Sequence, residues 1–179
     1  MQRIVILGNA GSGKSTLART LGERLSLAVV HLDLLFWEDG WKEADAGMFR
    51  ERVRASMACD RWVSEGNYSR TTLDLRLPRA DVVIWLDTPR GVCLRRVLVR
   101  SAMGKPRVDL PAGCVERLDL DFLKFLRFVW DFDFKTRPGI ERERLAHGAS
   151  VPVLHLKGER DVKVFLETLA TRERVAVVS

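Results

Sequence analysis

The chain has 179 residues, of which 46% are hydrophobic and 30% are charged, and this fits one domain that spans residues 1–179. No run of about 18 apolar residues is present, which excludes a membrane-spanning helix. The N-terminus lacks the apolar core and cleavage site of a signal peptide, and three scattered cysteines favour free thiols, so we expect a cytoplasmic protein.

The net charge of +6 is unevenly distributed along the sequence. No acidic residue lies between Asp87 and Asp109, and six basic residues do: Arg90, Arg95, Arg96, Arg100, Lys105 and Arg107. Such a segment suits either nucleic acid or a small polyphosphate. We favour a nucleotide, because the sequence also contains a separate phosphate-binding motif.

Apolar runs alternate with helical patterns along the chain, which is typical of the α/β class. In chain order we predict a strand at 3–7, a helix at 14–25, a strand at 28–32, a helix at 45–59, a strand at 61–64, a short helix after Arg70, a strand at 81–86, helices at 89–101, 118–132 and 138–146, a strand at 151–156 and a helix at 161–171. The segment 102–113 interrupts this pattern with two glycines and two prolines, and we predict that it is a mobile lid.

The strongest motif follows the first predicted strand and opens the first helix. It reads Gly8-Asn9-Ala10-Gly11-Ser12-Gly13-Lys14-Ser15, which fits the Walker A pattern G-x-x-x-x-G-K-[ST]. Its glycines let backbone amides curl around phosphates, Lys14 reaches the β- and γ-phosphates, and Ser15 ligates magnesium. Thr16 lies beside them. The motif therefore predicts binding of ATP with Mg²⁺.

Ligands of open α/β sheets bind at the carboxyl ends of the strands, where this sequence has acidic residues. Asp33 follows the second strand and Glu65 follows the third. Either carboxylate could orient an acceptor or hold metal-bound water, and Ser15 and Glu65 are the predicted metal-binding residues. Asp87 follows the fourth strand and could cap the next helix or lie near the loop. The three histidines, His31, His147 and His155, show no metal-ligand spacing and are interpreted as structural.

Several segments together resemble the adenylate-kinase-related family known as DNA topology modulation proteins. They are the Walker A loop, His31-Leu32-Asp33, Glu65-Gly66-Asn67-Tyr68, Leu86-Asp87-Thr88-Pro89-Arg90, Arg107-Val108-Asp109 and Arg137-Pro138. The resemblance implies a P-loop kinase fold with five parallel strands in the order 2-3-1-4-5 and helices on both faces. It also implies that Arg96 stacks on adenine, that Arg100 contacts phosphates and that Arg107 reaches them from the lid.

The sequence departs from adenylate kinases at the acceptor site. Leu32-Asp33-Leu34 stands where those enzymes have a Thr-Gly signature, and Trp37 and Trp41 follow. These residues disfavour AMP as the acceptor and suit a hydroxyl compound, with Asp33 as an orienting base. Lys14, Asp33, Glu65, Arg100 and Arg107 are the predicted catalytic residues.

We therefore expect an ATP-dependent kinase that acts on a small acceptor: a nucleotide, a nucleoside or a hydroxyl compound. The alternative is an ATP-binding regulator linked to DNA topology. Binding to nucleic acid is expected to be weak and non-specific at most, and no membrane association is expected. The acceptor and the oligomeric state stay open.

Overall fold

The computed structural model describes residues 1–104, 107–111, 113–114 and 119–178, with side chains described as far as residue 171. The elements in chain order are β1 (Arg3–Gly8), α1 (Lys14–Leu25), β2 (Ala28–His31), α2 (Leu32–Phe36), β3 (Trp37–Glu38), β4 (Lys42–Glu43), α3 (Ala46–Ser56), β5 (Trp62–Glu65), α4 (Ser69–Arg76), a 3-10 turn (Leu77–Arg79), β6 (Val82–Leu86), α5 (Arg90–Met103), α6 (Leu120–Lys135), α7 (Arg137–Gly148), β7 (Val153–Leu156) and α8 (Gly158–Val178).

Five of these strands form one parallel sheet in the order β2-β5-β1-β6-β7. Counted along the chain as five strands, this is the order 2-3-1-4-5, so the predicted topology is confirmed. β1 lies in the centre, where Ile6 pairs with Glu65 of β5 and with Ile84 of β6. The carboxyl ends of β1, β5 and β6 therefore meet at one edge of the sheet.

Alternate residues of β1 enter two separate cores, one on each face of the sheet. Val5 and Leu7 pack in a core that includes Trp62 and Trp85, and Ile4 and Ile6 pack in a core with the leucines of α1. All four of these β1 side chains are fully buried. Helices on both faces explain why the strand is a continuous apolar run rather than an alternating one.

The structure differs from the sequence-based prediction around the second strand. β2 ends at His31, and the next five residues form α2, so Asp33 lies in the first turn of a short helix rather than at the end of a strand. A hairpin of two two-residue strands, β3 and β4, follows. Leu118, predicted as the start of the long helix, lies outside the described residues. Along the described chain, no helix combines the length and apolar character needed to cross a membrane.

A buried arginine supports the turn that follows β5. Arg76, at the end of α4, is completely buried, and its guanidinium donates to the carbonyl oxygens of Gly66 at 3.0 Å and Asn67 at 2.6 Å. Burial lowers the pKa of Arg76 to about 9, although the carboxylates of Glu65 and Asp74 act in the opposite direction. A charged donor therefore holds two backbone carbonyls that would otherwise be buried and unpaired.

We predict that Arg76→Ala lowers the free energy of unfolding by about 3 kcal/mol, because the mutation removes charged hydrogen bonds and leaves buried carbonyls unsatisfied. Urea denaturation followed by circular dichroism measures the change. Arg142→Ala, at an exposed position of α7, is the matched control and should change stability by less than about 0.5 kcal/mol. Equal stabilities of the two variants would contradict the assigned role of Arg76.

Candidate active site

The loop between β1 and α1 is packed so closely that glycine is required in it. Gly11 has a φ of 75°, and a Cβ atom there would lie 2.5 Å from the carbonyl oxygen of Cys93 in α5. Gly13, the N-cap of α1, has no side chain to cap the first helical amides. These amides and the helix dipole make the loop a site for an anion.

Lys14 is held inside this loop by backbone carbonyls. Its Nζ donates to Gly8 O at 3.0 Å and to Asn9 O at 2.9 Å. Burial lowers the pKa of Lys14, while the nearby carboxylates of Glu65 and Asp33 act to raise it. The two carbonyl oxygens thus fix the orientation of the ammonium group in the loop.

Two asparagines fix the loop to the rest of the molecule. Asn67 Oδ1 accepts from Gly8 N at 3.2 Å and Asn67 Nδ2 donates to Gly8 O at 3.0 Å, which joins the turn after β5 to the start of the loop. Asn9 Nδ2 donates to Val129 O of α6 at 2.7 Å. Asn9, predicted to bind the cofactor, therefore directs its side chain into the fold and away from the main cleft.

Ser15 lies between two carboxylates. Its Oγ is 3.2 Å from Glu65 Oε1 and 2.7 Å from Asp109 Oδ2, and Glu65 Oε1 is also 2.8 Å from His31 Nδ1. Glu65 and Asp109 are both buried. His31 was interpreted as structural, and the structure places it as the neighbour that supports Glu65.

The atoms around Ser15 that could ligate a metal ion are hydroxyl and carboxylate oxygens, and oxygen ligands of this kind suit magnesium. Within the described ranges, no three His, Cys, Asp or Glu side chains group as a metal site on their own.

The described part of the predicted lid lies against the phosphate loop. Arg107 makes a bidentate contact with Asp109, from Nε to Oδ1 at 3.0 Å and from Nη2 to Oδ2 at 2.6 Å. Burial acts against ionisation of Asp109, but the bonds and charge of Arg107 hold its pKa well below the ordinary value. Lys105, Pro106 and Ala112 lie outside the described residues, and the predicted mobility of 102–113 stays a prediction.

Asp33 is oriented by a tyrosine that the sequence analysis did not single out. The hydroxyl of Tyr68 donates to Asp33 Oδ1 at 2.7 Å, and Arg107 Nη2 lies 3.9 Å from Asp33 Oδ2. Burial raises the pKa of Asp33, and the charge of Glu65 adds to this effect. The ring of Tyr68 is fixed by contact with Phe36, whose centroid is 4.8 Å away.

One cleft of about 2000 Å³ connects these groups. The predicted site residues that line it are Ala10, Gly11, Ser12, Gly13, Lys14, Ser15, Thr16, Asp33, Glu65, Arg96, Arg100 and Arg107. Trp37 and Trp41 line the same cleft beside Asp33, and their rings meet edge to face at 5.3 Å. Gly8, like Asn9, is not among the lining residues; its backbone supports the loop.

Arg96 contacts the loop from α5. Its Nη1 donates to Gly11 O at 3.3 Å and to Ser12 O at 3.2 Å, and its Nη2 forms an ion pair with Glu159 at the start of α8. Arg100 lies one helical turn further along the same helix, as their spacing indicates. α5 therefore places two arginines along the cleft.

Of the two roles that the sequence left open for Asp87, the structure excludes the helix cap, and Asp87 lines a smaller pocket together with Asn9 of the loop. Its carboxylate lies 2.7 Å from Arg137 Nη1 and 2.7 Å from His155 Nδ1, and it does not cap α5, whose N-cap is Pro89. Arg137 also stacks on the ring of Trp85 at 4.9 Å. This ion-pair network lies beside this smaller pocket and joins α7 to β6 and β7.

The parallel sheet and the glycine-rich loop with its partly buried lysine define a P-loop kinase fold. Two solved structures share it at 16% sequence identity. Shikimate kinase from Acinetobacter baumannii, in complex with shikimate, superposes with a TM-score of 0.53 over 100% of this chain and 96% of that chain. A candidate kinase from Chloroflexus aurantiacus superposes with a TM-score of 0.52 over 95% of this chain and 97% of that chain.

Sequence similarity identifies the family more closely. Adenylate kinase 2 of Nostoc sp. is 34% identical over 128 residues, which cover 55% of this chain and 69% of the Nostoc protein. The chain belongs to the adenylate kinase family of P-loop kinases. No protein-family model matches it, and none of the three similar proteins is named for a role in DNA topology.

Proposed function

We propose that the protein transfers the γ-phosphoryl group of ATP, in the presence of Mg²⁺, to a small acceptor. One observation carries the proposal: the phosphate loop with Lys14 and the partly buried carboxylate of Asp33 line the same cleft. Arg107 joins the two parts of this cleft, since its Nη2 lies 3.9 Å from Asp33 Oδ2 and also bonds Asp109, which contacts Ser15 of the loop. Membership of the adenylate kinase family supports phosphoryl transfer.

The donor half of the cleft is built to hold phosphates. The open amides of the loop and the start of α1 bind phosphate oxygens, and Lys14 adds a positive charge. Arg96 and Arg100 line the cleft, and we propose that Arg96 contacts the base and Arg100 the phosphates. Ser15 and Glu65 would hold the metal ion, which when bound supplies positive charge to neutralise the phosphates.

On the side of the cleft where the phosphoryl acceptor would bind, Asp33 is the proposed general base. Asp33 takes the proton of the acceptor hydroxyl while the oxygen of that hydroxyl forms a bond to the γ-phosphorus of ATP. The bond between the γ-phosphorus and the oxygen that bridges it to the β-phosphate breaks, and ADP leaves. Tyr68 fixes the orientation of Asp33 through a 2.7 Å hydrogen bond. A phosphate acceptor needs no base because its oxygens are already ionised, so Asp33 favours a hydroxyl acceptor.

Arg107 and the two tryptophans complete the arrangement. Arg107 lies close to Asp33, where its charge can stabilise the phosphoryl group during transfer. Trp37 and Trp41 form an apolar wall that can exclude water, which distinguishes a kinase from an ATPase. Arg96, Arg100 and Arg107 all line this cleft. We find no observation that favours the DNA-linked regulator instead.

We predict that Lys14→Ala lowers the affinity for ATP at least tenfold, because a charged donor to phosphate contributes about 1.5–3 kcal/mol. Isothermal titration calorimetry with a non-hydrolysable ATP analogue measures the effect, and thermal unfolding confirms that the fold persists. Lys124→Ala, at an exposed site on α6, is the control and should bind as the parent does. Unchanged affinity of Lys14→Ala would reject the phosphate-loop assignment.

We predict that Asp33→Asn reduces acceptor-stimulated ADP production by at least about 100-fold and leaves ATP affinity nearly unchanged, because loss of a general base affects the chemical step. A coupled ADP assay across nucleosides, nucleoside monophosphates and small polyols identifies the acceptor for this test. A variant as active as the parent would contradict the role of Asp33. A panel without any stimulating acceptor would count against the kinase proposal itself.

A further inference from the structure

Asp109 joins the phosphate loop from a distant part of the sequence. It lies 94 residues after Ser15, yet its Oδ2 is 2.7 Å from the Ser15 hydroxyl and its side chain is only 9% exposed. In the sequence, Asp109 stands out only as part of the Arg107-Val108-Asp109 segment. The structure brings this carboxylate to the residue that the proposed function assigns to the metal.

Two carboxylates, those of Glu65 and Asp109, contact the same hydroxyl oxygen of Ser15. The hydroxyl has a single proton, so it donates to Asp109 or to Glu65 but not to both. His31 lies beside Glu65, and Arg107 pairs with Asp109, so each carboxylate has one polar partner of its own. Two buried carboxylates that converge on one oxygen still repel each other, and a cation between them removes that repulsion.

We propose that Asp109 is the third protein residue of the magnesium site, together with Ser15 and Glu65. The proposal rests on the proposed function, since it requires that ATP and Mg²⁺ bind at this loop. Its carboxylate belongs to the described part of the predicted lid, so the metal ion and the lid segment meet at one residue. Metal binding then also sets the position of Arg107, which is bonded to the same carboxylate.

A second contact connects this segment to the acceptor side of the cleft. Cys114 Sγ lies 3.3 Å from the carbonyl oxygen of Glu38 in β3. Asp109 and Cys114 therefore bridge the phosphate loop and the hairpin that carries Trp37.

The proposal predicts two effects of opposite sign for Asp109→Asn. Without metal, the carboxylate repels the phosphates of the nucleotide, so the variant should bind a non-hydrolysable ATP analogue about threefold more tightly than the parent in EDTA. With Mg²⁺, the variant lacks one anionic ligand, so the increase in affinity that the metal gives should be at least tenfold smaller. Calorimetry measures both, and electron paramagnetic resonance of Mn²⁺ reports the metal directly.

Asp60→Asn is the matched control, because it removes the same charge from a side chain that is 93% exposed, just before β5 at the opposite end of that strand from Glu65. It should match the parent in both titrations. A merely structural role for Asp109 would weaken nucleotide binding with and without metal, and that parallel loss, or no change at all, overturns the proposal. A parent protein that binds no nucleotide rejects the proposed function, and the inference with it.

Discussion

One partly buried lysine ammonium group organises the whole site. Lys14 is placed inside the loop by carbonyl oxygens, and its charge is compensated by Glu65 and Asp33. A buried charge is tolerated only when it is paired and hydrogen-bonded. The carboxylates that pair with it then require partners of their own, and these partners bring β2, β5 and the lid segment to the same place.

The sheet supplies the rigidity that this network needs. Glu65 is the last residue of β5 and is in register with Ile6, so it cannot move relative to the loop without breaking the pairing of central strands. The turn after Glu65 is fixed from two sides, by the Asn67 bonds to Gly8 and by the buried guanidinium of Arg76. A site built in this way is pre-organised before its ligands bind.

The sequence predicted the features that short-range patterns determine, and it missed those that depend on tertiary contact. β1 and β6 are nearly continuous apolar runs, and the five-stranded sheet and its strand order were predicted correctly. α2 and the β3–β4 hairpin are too short to show a hydrophobic period. Asp33 was therefore predicted at the end of a strand, whereas it lies in the first turn of a helix. The roles of Asn67, Tyr68 and Arg76 depend on hydrogen bonds to partners that lie up to 59 residues away in the sequence. For Asn67 and Tyr68, the Glu65-Gly66-Asn67-Tyr68 segment was the only sequence feature that pointed to them.

Asp33 and Asp109 show how one residue type can serve two purposes in one cleft. Arg107 lies between them, but it bonds Asp109 with both nitrogens at 3.0 Å or less and stays 3.9 Å from Asp33. The pKa of Asp109 is consequently held low, whereas burial and the charge of Glu65 raise the pKa of Asp33. A carboxylate with a raised pKa is the better proton acceptor, and one that stays ionised is the better ligand for a cation. The position of a single guanidinium thus separates the group suited to the acceptor from the group suited to the metal.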